Sequence, residues 1–227
     1  MPVPTTQRPA LRRLLRDVVH DQLLAAIVAG DLAPGEVLHE QEIESWTGAS
    51  RTPVREAIDR LAAHGFIEMI PQKETRVTDL DLGMFVDMLS TLGGLCTEVV
   101  RDAVPLLSES ERAGIVALGH ELLVPDPRNR TPIIGTDLFD LFIDAYANTV
   151  VMDIRDYLSP HVHRVINLRG MDAGYYMGEE NLRALLAATE DGRADDAADL
   201  VGAYFDRLQA HVDLQRQLHG PDLAGVS

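Results

Sequence analysis

"GASRTPVREAIDRLAAHGFIEMI", Gly48 to Ile70, decides how the first third of the chain folds. From Gly48 to Arg55 it gathers two arginines, a proline and the hydroxyls of Ser50 and Thr52. Ser50 or Thr52 suits a helix N-cap, and Pro53 falls in the first turn, where a missing N–H does little harm. In the helix that follows, Val54, Ala57, Ile58, Leu61 and Ala62 recur at the spacing of one buried stripe, while Arg51, Thr52, Arg55 and Glu56 lie off it. The helix runs to about His64 and ends at Gly65. Phe66–Ile70 and Thr75–Thr78 then read as two short strands joined by a turn.

Upstream, Leu14, Leu15, Val18, Val19, Leu23 and Ile27 give one apolar face to a helix from about Leu11 to Val28. Gly30, Pro34 and Gly35 stop it, and a second short helix covers about Glu40 to Thr47 before Gly48. Helix, helix, tight turn, helix, hairpin is a winged helix-turn-helix, assigned to residues 1–79. The start of its third helix brings together arginines, hydroxyls and open backbone N–H groups. Those are the groups that hold phosphates and read base edges in a major groove.

Composition limits the rest. The chain has 227 residues, a formal net charge of -16 and one cysteine, Cys96, so no internal disulfide forms and a reducing, cytoplasmic setting is expected. Residues 1–80 hold nine Lys and Arg against twelve Asp and Glu; the remainder holds eleven against twenty-four. Contact with DNA must therefore come from a local basic patch. No apolar run is read as approaching the roughly 20 residues of a membrane span, so no membrane partner is expected.

Residues 80–227 read as helix throughout, with segments at Leu82–Ala103, Ser110–Leu123, Gly135–Ala147, Val150–Asn167, Gly178–Glu190 and Ala194–Leu218. Pro105, Pro125, Pro127, Pro132 and Gly170 mark the breaks, and Ser108 and Ser110 with Glu111 mark a helix start. The fold class is mainly α: an N-terminal winged helix-turn-helix and a C-terminal antiparallel α-helical bundle. Neither a Gly-rich phosphate loop nor a zinc-protease or serine-hydrolase motif is present, so no enzyme is expected.

Residues 30–77, "GDLAPGEVLHEQEIESWTGASRTPVREAIDRLAAHGFIEMIPQKETRV", resemble the DNA-binding domain of GntR-family transcriptional regulators. The resemblance rests on the "G-x-L-x-P-G-x-x-L" stretch at Gly30–Leu38, the helix start at Ser50–Ala57 and the "L-x-x-x-G" exit at Leu61–Gly65. It implies DNA contacts from Arg51 and Arg55 on the recognition helix, with the hydroxyls of Ser50 and Thr52 between and before them. It further implies contacts from Gln41 on the second helix, where relatives often carry arginine. The wing would add Lys73, Thr75 and Arg76, beside Gln72. The helical part resembles the FadR subfamily with its FCD-type effector domain, on "DLFDLFIDAYANTVVMDI" and "DGRADDAADLVGAYFDRL".

That second resemblance implies a divalent metal held by an aspartate and three histidines, and here those positions fall on Gly135, Phe139, Leu182 and Tyr204. The arginine often used for an effector carboxylate falls near Leu89. No metal and no cofactor are therefore expected. Any effector pocket would be mainly apolar, built from Leu89, Phe139, Leu182 and Tyr204, with Tyr204 or a histidine such as His163 as the polar partner. Asp140, Asp144, His161 and His163 are the other residues from which a metal site could be rebuilt. Cys96 is expected to be a core thiol. The resemblance implies a homodimeric regulator, a repressor, bound to an inverted-repeat double-stranded DNA operator and modulated by an unidentified small-molecule effector. The alternative is an effector-independent DNA-binding protein whose pocket has been lost.

Overall fold

The computed structural model describes residues 14–71, 73–123, 137–171 and 176–219; Gln72, Gly135, the expected helix start at Leu11 and the prolines at 125, 127 and 132 lie outside them. The chain divides into two units between Leu80 and Asp81, each with its own core.

In the first unit α1 spans Leu15–Ala29, α2 Glu40–Thr47 and α3 Arg51–Ala63, followed by β1 at Ile67–Ile70 and β2 at Glu74–Val77. Val19, Leu23 and Ile27 of α1 meet Ile43 of α2, Val54, Ala57, Ile58 and Leu61 of α3, and Phe66, Ile67 and Val77 of the wing in one core. Leu14 and Leu15, read from the sequence as part of that face, are instead half exposed. They precede and open the helix, one turn short of the core, and His20 takes a buried place on α1. Gly30 and Gly48 close α1 and α2 at φ 88 and 69, backbone that an L side chain adopts only with strain.

The strands pair antiparallel with Ile67 opposite Val77 and Ile70 opposite Glu74. Residues 35–38 lie along the other edge of β2: Gly35 N–H donates to the Val77 carbonyl, Val77 N–H to Glu36 and Leu38 N–H to Thr75. These bonds tie the α1–α2 link to the wing, which fixes the first turn of α2 beside the hairpin.

The second unit is helical throughout its described residues: α4 Leu82–Ala103, α5 Glu109–Leu122, α6 Asp137–Tyr146, α7 Thr149–Leu168, α8 Glu179–Glu190 and α9 Ala194–His219. Helix α4 is central and packs on α6, α7 and α9, while α5 packs on α8. By length and composition α4 could cross a membrane, with a mean hydropathy of 1.3 over its most apolar window, contrary to the sequence expectation that no run comes close. Its apolarity is accounted for by packing, since Leu82, Phe85, Leu89, Leu92, Val99 and Val100 are buried among the other helices. Ser108 accepts from the Glu111 N–H and Glu111 accepts from the Ser108 N–H, a capping box that starts α5 one residue earlier than expected.

Candidate nucleic-acid interface

Three parts of the first unit carry the sequence-derived contacts: the first turn of α2, the start of α3 and the hairpin. Ala49, just before α3, is buried, so the chain enters the helix against the core and turns Ser50, Arg51 and Thr52 to solvent. Ser50 holds the N-cap position in extended backbone, but its side chain makes no capping bond. Its hydroxyl and the first N–H groups of the helix therefore face outward, unsatisfied by the cap, at the positive end of the helix dipole. Arg51 and Arg55 are exposed over 59% and 62% of their side chains.

Neither guanidinium stands alone. Arg55 Nε donates to Glu40 Oε1 at 2.8 Å, and Arg51 Nε lies 3.5 Å from carboxylate oxygens of both Glu40 and Glu44. The hydrogen bond to Glu40 raises the Arg55 pKa further above its ordinary value. Arg76 is likewise held by Glu68, its cross-strand neighbour, at 2.9 Å. Lys73 sits in the exposed hairpin turn and has no ion pair among the described residues.

Gln41, Arg51, Lys73 and Thr75 line one open cleft of about 620 Å³ between the first turn of α2, the start of α3 and the wing. Ser50, Thr52, Arg55 and Arg76 stand outside it, Arg55 joined to it through Glu40 and Arg76 lying along the wing. Sequence reasoning missed Glu40, Glu42 and Glu74, which line the same cleft, and Glu44, which reaches Arg51. The signal was available only as charge: three glutamates within five residues of α2.

Residues 15–77 match the family model described as "Bacterial regulatory proteins, gntR family". That match spans most of the N-terminal unit and none of the helical one. Among relatives with similar sequence, the HTH-type transcriptional regulator Mce2R of Mycobacterium tuberculosis is 34% identical over 99 residues, 41% of each chain. The chain thus spans about two fifths of that relative's length in the match. A longer match, 26% identical over 190 residues, covers 82% of this chain and 84% of a probable D-xylose utilization operon transcriptional repressor of Paenarthrobacter nicotinovorans. The solved structure of E. coli McbR/YncC superposes with a TM-score of 0.75 over 89% of this chain and 98% of that one, at 18% identity, which speaks for the fold alone. The family-model match thus covers the winged helix-turn-helix, and the two sequence relatives are named as a transcriptional regulator and a transcriptional repressor.

The expected pocket residues of the helical unit lie in its core or at the edge of it. Leu89, Phe139, Leu182 and Tyr204 are all buried, and His163 on α7 is half-buried. Phe139 packs against Tyr204 and Phe205 at ring-centroid distances of 5.9 and 5.6 Å. Burial pushes the Tyr204 hydroxyl well above the usual phenol range. Phe139 also lines, with Leu92, Cys96, Ile143, Arg155 and Phe205, a space of about 10 Å³, no larger than one water, which none of the other four residues reaches. The Cys96 thiol is buried and pushed up to about 12 by desolvation, as suits a core thiol.

Asp140 and Asp144 do not stand open as metal ligands. The guanidinium of Arg155 lies 3.3 Å from Asp140, 3.1 Å from Asp144 and 2.9 Å from Asp156. His161 turns inward and packs on Tyr157 at 5.6 Å. Among the described residues, no group of three or more histidine, cysteine or acidic side chains is placed to hold a metal ion.

Proposed function

We propose that the chain is a bacterial transcriptional regulator, a repressor, which binds double-stranded DNA with α3 in the major groove and the hairpin alongside. The observation that carries the reading is the exposed, uncapped start of α3, where Ser50, Arg51 and Thr52 stand beside Arg55 and where Arg51 lines one cleft with Gln41, Lys73 and Thr75. One recognition helix covers a half-site, so a homodimer on an inverted repeat follows from the geometry of this motif. The helical unit is the place for dimerisation and for a small-molecule effector of FCD type, and the setting is cytoplasmic. The packing of Phe139, Leu182 and Tyr204 favours a second reading, in which DNA binding is independent of any effector.

Arg51 and Arg55 test the first reading directly. Both lie on the exposed face of α3, so Arg51→Ala and Arg55→Ala should leave the far-UV circular dichroism spectrum unchanged. Each should weaken binding to a duplex selected by the wild-type protein from a random library by about 10- to 100-fold, the span of a lost bidentate guanine contact. Wild-type affinity in both variants would remove α3 from the interface.

A further inference from the structure

We propose that Glu40 is a specificity-determining residue of the DNA-reading surface, holding Arg51 and Arg55 by their Nε edges and suppressing sequence-independent attraction to phosphates. The inference rests on the DNA-binding reading above.

Glu40 occupies the first residue of α2, where the helix dipole favours a carboxylate, and its side chain is only 32% exposed. From there it spans both arginines, at 2.8 Å from Arg55 and 3.5 Å from Arg51. A carboxylate on the Nε edge of Arg55 leaves the Nη pair, which has no hydrogen-bond partner among the described residues, as the fork able to meet guanine O6 and N7. The tether thus limits the rotamers of a long side chain that would otherwise be ordered only on binding.

Its charge acts in the opposite direction on the DNA backbone. The cleft beside α3 carries Arg51 and Lys73 against Glu40, Glu42 and Glu74, so it is not net positive. A duplex that offers only phosphates meets as much repulsion as attraction there. One that offers guanine edges at the right places gains directed hydrogen bonds as well. Specificity is a difference of two affinities, and lowering the non-specific one raises it.

The variant Glu40→Gln separates the two roles, because the amide oxygen still accepts from Arg55 while the charge is gone. In the full chain, affinity for a 30-base-pair duplex of random sequence should rise about 5- to 10-fold per protomer near ~0.1 M salt. The slope of log affinity against log salt should steepen by about one per protomer. Affinity for the library-selected duplex should change by less, so the ratio of the two falls. Glu40→Asp keeps the charge but withdraws it from the 2.8 Å contact; it should weaken the selected duplex and leave the random one unchanged. Unchanged random-duplex affinity and slope in Glu40→Gln, or an equal gain on both duplexes, would overturn the proposal. If the wild type discriminates and Arg55→Ala does not, such a result removes Glu40 alone. If the wild type itself fails to discriminate, the DNA-binding reading falls and this proposal with it.

Discussion

His64 ends α3, half-buried, with its ring edge-on to His20 at 6.3 Å. Burial foremost, then the charges of Arg60 and His20, lower its pKa below the ordinary 6.5. The unfolded chain therefore takes up this proton more readily than the folded one. The resulting stability is fully present above the unfolded pKa and is lost as pH falls from about 6.5 towards the depressed folded value. The winged domain should melt at a lower temperature at pH 5.5 than at pH 7.5, and His64→Gln should narrow the gap; an equal gap in the variant would assign the effect to other groups. Arg51 and Arg55 were legible in the sequence because the helical period sets them off the buried stripe. Glu40 was not, because its bond to Arg55 joins residues fifteen apart through the α2–α3 turn. Nor does a sequence show that Ser50 would hold the cap position with its hydroxyl unused.

Neighbouring glycines of α4 carry opposite roles at the scale of the helix. A Cβ on Gly93 would lie 2.7 Å from Phe205 Cγ and 2.8 Å from Phe205 Cβ, so this glycine sets how closely α9 approaches α4. A Cβ on Gly94 meets nothing within 4 Å. Gly93→Ala should destabilise the helical unit by about 1–3 kcal/mol, the usual range for overpacking. Gly94→Ala should stabilise it by about 0.5–1 kcal/mol, the ordinary gain of alanine over glycine in a helix interior. Denaturant unfolding of the two variants decides the matter, and a shift of the same sign in both would contradict the close approach. Element positions were largely legible, since capping residues and apolar periods fix them: α2 was expected at its observed bounds and α4 as well. The pairing of helices was not, because Gly93 announces close approach without naming Phe205. Arg155 shows the same limit. Asp140 and Asp144 look like a ligand pair at i and i+4 until the next helix brings a guanidinium between them.

For the whole molecule, charge sets the problem that the site must solve. With a net charge of -16, long-range attraction to a polyanion is lacking, and four of the five wing and recognition-helix cations, Arg51, Arg55, Arg60 and Arg76, are paired with carboxylates of their own domain. Affinity must then come from short-range contacts at base edges, the origin of sequence discrimination in a major groove. The most direct test is the affinity of the full chain for a duplex selected from a random library relative to a random-sequence duplex, both at 150 mM salt. The account predicts a ratio of at least about 10³, as for specific DNA-binding proteins generally. A ratio near one, with both duplexes bound alike or neither bound, would contradict it.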